Sequence, residues 1–124
     1  MNILIIDDNK IIVEILANLV RKCVTPKKIL KSHTINKAKK LLNDNRVDTV
    51  FLDLNIETQL DGIQLFKDIK QNSPDISVVI ITSENNAKVV STVLDIGPKD
   101  YIVKPLSLAK IERSILTTSN IENV

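Results

Sequence analysis

Only two glycines, Gly62 and Gly97, occur in the 124 residues. Neither a P-loop nor the G-x-G-x-x-G turn of dinucleotide-binding units can therefore be written anywhere in the chain. Tryptophan is absent and the aromatics are Phe51, Phe66 and Tyr101 alone, which leaves no platform on which nucleic-acid bases could stack. A single cysteine, Cys23, permits neither an internal disulfide nor a multi-cysteine metal site, and we expect a buried or half-buried free thiol. The one histidine, His33, disfavours histidine-based catalysis and is expected at the surface or a strand edge. No apolar run approaches the roughly 18 residues that span a bilayer. The apolar stretch after Met1 ends in two acids, unlike a secretory leader. The expectation is a cytoplasmic chain without membrane insertion. Charge nearly balances, 17 Lys and Arg against 15 Asp and Glu, so carboxylates remain as the obvious chemistry.

Short apolar runs alternate with amphipathic ones from end to end. Ile3 to Ile6 reads as a buried strand, and Ile12, Ile15, Leu16, Leu19 and Cys23 repeat at helical spacing after it. Lys28 to Ser32 is a weaker second strand, followed by a helical stripe of Ile35, Ala38, Leu41 and Leu42. Val47 to Leu54 makes a third strand, with Ile63, Phe66 and Ile69 on the next helix. Ser73-Pro74-Asp75 breaks the chain before a fourth strand, Ile76 to Thr82. Val89, Val90, Val93 and Leu94 stripe a helix that closes at Gly97-Pro98. Tyr101 to Val103 is the last strand, and Leu108, Ile111, Ile115 and Leu116 mark the last helix. Strands alternating with helices imply a parallel sheet covered on both faces, a three-layer α/β domain spanning 1–124 that leaves no length for an output domain. In such sheets ligands bind outside the carboxyl ends of the strands.

Those ends carry Asp7 and Asp8 after strand one, Asp53 at strand three, Thr82 and Ser83 after strand four, and Lys104 after strand five. Taken singly, an acid after a strand is often a helix cap, and a lone Thr or Lys is surface decoration. Three carboxylates on one edge, however, repel and call for a cation, and Mg²⁺ is the natural hard ion for oxygen ligands and phosphate. Asp53 then suits the role of nucleophile, ionised at neutral pH without a neighbouring base. Lys104 and Thr82 would meet the charge of a phosphoryl group.

In order and at these separations, I-L-I-I-D-D, V-F-L-D-L-N, V-V-I-I-T-S and D-Y-I-V-K-P strongly resemble the receiver domain of two-component response regulators, over almost the whole chain. The resemblance implies a flavodoxin-like, doubly wound five-stranded sheet of order 2-1-3-4-5. It implies that Asp53 accepts a phosphoryl group from a sensor histidine kinase or a histidine phosphotransfer protein. Asp7, Asp8, Asp53 and the backbone carbonyl of Asn55 would hold Mg²⁺, with Mn²⁺ a possible substitute. Lys104 would pair with the phosphoryl group, and Thr82 and Tyr101 would form a coupled switch read by an effector protein at the fourth helix, fifth strand and fifth helix. Asn55 and Glu84 match positions that tune dephosphorylation, in a pairing similar to that of stand-alone chemotaxis-type regulators. Catalysis of anything but its own phosphorylation and dephosphorylation is not implied, nor is direct nucleic-acid binding.

The loop after Asp53 departs from the family's D-x-x-M-P-x-M-D-G. Ile56 and Leu60 stand for the methionines, Glu57 replaces the proline, and Asp61-Gly62 comes one residue late. This insertion loses a φ constraint and is expected to place the Glu57 charge near the metal. Ser83 and Pro98, where alanine is frequent, are expected to be tolerated. Lys27, Lys28, Lys31, Lys37, Lys39 and Lys40 crowd the second strand and helix, read first as a solvated face and second as a dock for an acidic partner. Two other readings stay open: a receiver-like interaction module that takes no phosphate, and a haloacid-dehalogenase-like phosphatase. The phosphatase would need an acid where Asn55 stands.

Overall fold

The computed structural model describes residues 1–123, with side chains described through Leu116; Val124, the last residue of the expected 1–124 domain, lies outside the described residues. Five strands alternate with five helices: β1 (Asn2–Ile6), α1 (Lys10–Cys23), β2 (Lys28–Ser32), α2 (Ile35–Asp44), β3 (Thr49–Asp53), α3 (Gln59–Asn72), β4 (Ser77–Thr82), α4 (Ala87–Ile96), β5 (Asp100–Val103) and α5 (Leu108–Asn123). All strand pairs are parallel, in the order β2-β1-β3-β4-β5. The expected architecture and strand order are those observed.

Both faces of the sheet are covered, which is why its strands read as unbroken apolar runs. Leu4, Ile6, Val50, Leu52, Val78 and Ile80 point to one face and meet Ala38, Leu65, Phe66, Ile69 and Val93 of α2, α3 and α4. Ile3, Ile5, Phe51, Val79, Ile81 and Ile102 point to the other and meet Val13, Leu16, Ala17, Val20, Ile111 and Ile115 of α1 and α5. Every residue of the central strand β3 is buried. The ladder is shorter than the apolar run Val47 to Leu54 suggests, because Val47 and Leu54 are buried outside it. Edge strand β2 carries exposed Lys28 and half-buried Lys31, whose ammonium pairs with Glu14 of α1 at 2.9 Å. Such charges blunt an edge against further strand pairing. Lys27, Lys37, Lys39 and Lys40 are exposed, as a solvated face requires.

Parallel topology starts every helix at the same edge, the one where the strands end. Asn9, Thr34, Thr58 and Asn86 cap α1, α2, α3 and α4 through side-chain oxygens that accept N–H bonds from the first turn. Ser107 Oγ accepts from Lys110 N at the start of α5. Gly97 ends α4 at φ +93°, a left-handed closure natural to glycine, and Pro98 follows it without obstruction. Cys23 is a half-buried free thiol at the end of α1. Among the described residues no helix is long and apolar enough to cross a membrane.

Candidate functional site

Strand β1 delivers Asp7 and Asp8 to the carboxyl edge of the sheet, β3 delivers Asp53, β4 delivers Thr82, and Lys104 follows β5. The register sets Asp53 beside Ile81 and Thr82 beside Val103, so these groups emerge on neighbouring strands. One carboxylate oxygen from each of Asp7, Asp8 and Asp53 lies within 4.8 Å of the others. Asp7 and Asp53 are only 3% and 5% exposed, whereas Asp8 faces solvent. At an effective dielectric near 20, each pair of such charges repels by about 3 kcal/mol. Among the described residues one ammonium stands against the three carboxylates: Lys104 Nζ reaches Asp7 Oδ2 at 3.2 Å and Asp53 Oδ2 at 3.4 Å.

Burial, more than the charge imbalance, sets the proton affinity of Asp7. Burial pushes its carboxyl up to about 6, the Asp53 charge adds to the effect, and the Asn9 N–H and Lys104 oppose it. Asn9 N donates to Asp7 Oδ1 at 2.9 Å, and Asn55 N donates to Asp53 Oδ1 at 3.0 Å. The donor set fits a hard divalent cation: all-oxygen, partly buried, short of positive charge and open to solvent on the Asp8 side.

Around the acids, the polar groups are joined. Thr82, fully buried, accepts at Oγ1 from Glu84 N at 3.0 Å and from Asn55 Nδ2 at 3.4 Å. Lys104 N donates to Thr82 O at 2.8 Å, and the Lys104-Pro105 bond is cis. Tyr101, half-buried on β5, donates from its hydroxyl to Glu84 O at 3.2 Å; burial and the Glu84 charge hold its phenol above the ordinary value. The Glu84 carboxylate is held below its ordinary value by the Asn86 N–H and the Gln59 amide. Asp7, Asp8, Asp53, Asn55, Thr82, Glu84, Tyr101 and Lys104 are thus brought to one edge, Asp8 by proximity to the other two acids and the rest through hydrogen bonds.

Glu57 requires a correction. It adopts φ +58°, a conformation closed to the proline it replaces, and its Oε2 accepts from Ile35 N at 2.8 Å at the start of α2. Its charge is spent on a helix terminus and is not among the clustered acids. The helix after this loop is nonetheless in place: Thr58 Oγ1 accepts from Asp61 N at 3.1 Å and donates to Asp61 Oδ2 at 2.7 Å, and a Cβ on Gly62 would lie 1.9 Å from Leu54 O. Further residues, beyond the expected set, border the site. His33, half-buried just beyond β2, sets Nδ1 3.1 Å from Asp7 O. Asn9 caps α1 with its side chain while its N–H meets Asp7 Oδ1. Gln59 donates to Glu84 Oε2 at 2.8 Å across the site, a contact no local pattern announces.

The family model for the response regulator receiver domain matches residues 3–116. An NtrX-like response regulator of Rickettsia felis is 29% identical over 113 residues, 90% of this chain and 23% of that protein. The response regulatory domain of protein mrkE from Klebsiella pneumoniae superposes with a TM-score of 0.86 at 26% identity, covering 100% of both chains. A CheY-like receiver domain protein from Methanospirillum hungatei shares the fold at a TM-score of 0.86 and 15% identity, covering 98% of this chain and 95% of that one. The chain spans about a quarter to a third of the length of the curated relatives it matches. With five parallel strands in the order 2-1-3-4-5 and the family's model matched nearly from end to end, this chain belongs to the receiver domains of two-component response regulators.

Proposed function

We propose that this receiver is a phosphorylation-controlled switch whose phosphoacceptor is Asp53. The observation that carries the reading is a buried carboxylate at the end of the central strand, clustered with two other acids and in reach of one lysine. Asp53 attacks the phosphorus of a phosphohistidine on a sensor histidine kinase or histidine phosphotransfer protein. The new O–P bond forms as the P–N bond breaks, and the imidazole keeps the electron pair and takes a proton. Asp7, Asp8, Asp53 and the Asn55 carbonyl would hold Mg²⁺, or Mn²⁺ in its place. The ion lowers the repulsion between the anionic nucleophile and the phosphoryl oxygens. Lys104, already spanning Asp7 and Asp53, pairs with a phosphoryl oxygen once Asp53 is esterified.

Thr82 then donates to a second phosphoryl oxygen, and Tyr101 follows because both are tied to Glu84. The surface of α4, β5 and α5 carries the result to an effector protein, as a shift between two pre-existing packings. Asn55 and Glu84 flank the path of the water that removes the phosphoryl group and set the lifetime of the signal. The chain acts in the cytoplasm and turns over no external substrate.

Incubation with Mg²⁺ and acetyl phosphate, followed by intact-mass measurement, tests this reading. A Mg²⁺-dependent phosphoryl adduct in the wild type and none in Asp53→Ala is the expected result. No adduct with any donor would identify an interaction module, and multiple turnover of phosphate esters a phosphatase.

A further inference from the structure

Four hydrogen bonds hold Glu84. Its N–H donates to Thr82 Oγ1 at 3.0 Å, and its carbonyl accepts from the Tyr101 hydroxyl at 3.2 Å. Its Oε1 accepts from Asn86 N at 2.8 Å and its Oε2 from Gln59 Nε2 at 2.8 Å. Three of the four stay within β4, β5 and the loop that joins β4 to α4. The Gln59 bond comes from the first residue of α3, the helix that follows β3 and Asp53 in the chain.

We propose that Gln59 is a positioning residue of the switch, a latch that holds Glu84, and through it Thr82 and Tyr101, in the unphosphorylated arrangement. This rests on the reading of Asp53 as phosphoacceptor. Thr82 Oγ1 accepts from Glu84 N and Asn55 Nδ2 and keeps its own proton to donate, so when Thr82 moves to a phosphoryl oxygen on Asp53 the Glu84 N–H moves with it. The segment from Thr82 to Glu84 has to shift with it. The backbone of Gln59 is held against that shift. Its helix is fixed by the Thr58 cap and by the approach of Gly62 to the Leu54 backbone, where a Cβ would sit 1.9 Å from the carbonyl oxygen. The residue before the cap, Glu57, is itself pinned on Ile35 N. Glu84 therefore leaves Gln59 behind when the switch turns, and the amide bond is a contact made in one state alone. A ligand or contact confined to one of two states biases their equilibrium by its own free energy, which for one hydrogen bond is roughly three- to tenfold.

Tyr101 is the sole tyrosine and tryptophan is absent, so intrinsic emission reports the Glu84 contact directly. The test titrates the wild-type chain, Gln59→Leu and Gln59→Glu with beryllofluoride, a phosphoryl mimic, in the presence of Mg²⁺ and follows that emission. In Gln59→Leu the half-saturating concentration should fall roughly three- to tenfold, and further in Gln59→Glu, where two carboxylates face each other. The emission of both unliganded variants should move toward that of the saturated wild type. Combining Gln59→Glu with Glu84→Gln exchanges donor and acceptor and should restore wild-type values. Unchanged half-saturation in both single variants, or no rescue in the double variant, overturns the latch while the wild type still responds. A wild type as unresponsive as Asp53→Ala overturns the phosphoacceptor reading, and the latch with it.

Discussion

Asp7 carries the strain of the acid cluster. It is buried, adjacent to Asp53, and holds its proton to about pH 6, above the ordinary 3.8. The folded state therefore binds this proton more tightly than the unfolded chain does. Stability contributed at this position is intact below about pH 4 and is lost as pH rises through 6. Replacing the carboxylate by an amide removes that cost. In metal-free protein, Asp7→Asn should be more stable than wild type at pH 7.5 by roughly 1–3 kcal/mol, the upper end being the free energy of two pKa units. The difference should vanish near pH 4, where both side chains are neutral. Urea denaturation at both pH values checks this, and an Asp7→Asn protein of equal or lower stability at pH 7.5 would count against it. Added Mg²⁺ should stabilise the wild type and leave the variant nearly unmoved.

Among the elements, α3 shows how an inserted residue is absorbed. The loop before it rises through a positive φ at Glu57, and the helix then docks where Gly62 allows its backbone against Leu54. Alanine favours helices over glycine by about 1 kcal/mol, yet at Gly62 its Cβ would meet a backbone oxygen at 1.9 Å. The clash decides. Gly62→Ala should lower stability by roughly 2 kcal/mol or more, whereas an alanine at an open helical position would raise it; thermal denaturation gives the sign. The same element marks the reach of the sequence. Alternating apolar runs and stripes place each strand and helix, since they record burial, and the strand ends then bring Asp7, Asp8, Asp53, Thr82 and Lys104 together. Ladder ends escape because Val47 and Leu54 are buried without pairing. Glu57 and Gln59 escape for a different reason: their partners, Ile35 and Glu84, lie more than 20 residues away in the chain. Such contacts are set by tertiary neighbours, and no local pattern encodes them.

For the molecule as a whole, two apolar layers share one sheet. Phe51 fills the layer under α1 and α5, and Phe66 the layer under α2, α3 and α4. Since β3 has side chains in both, loss of either layer strips cover from the same strand. Phe51→Ala and Phe66→Ala should each cost about 3–5 kcal/mol, and each variant should unfold in one transition. Far-ultraviolet dichroism and Tyr101 emission should trace superimposable curves, and separate midpoints would show that the layers melt independently.

The helix caps described above have a consequence at this scale. Every helix begins at the edge where the acids lie, so all five peptide dipoles turn their positive poles toward it, each equivalent to about half an elementary charge. This field belongs to the backbone. Substitution of Lys104 would remove the cation that reaches Asp53, but the oriented peptides would still favour an incoming anion at that edge. The opposite edge, where the helices end, carries the complementary negative poles, and a phosphoryl group there would meet a potential of the wrong sign.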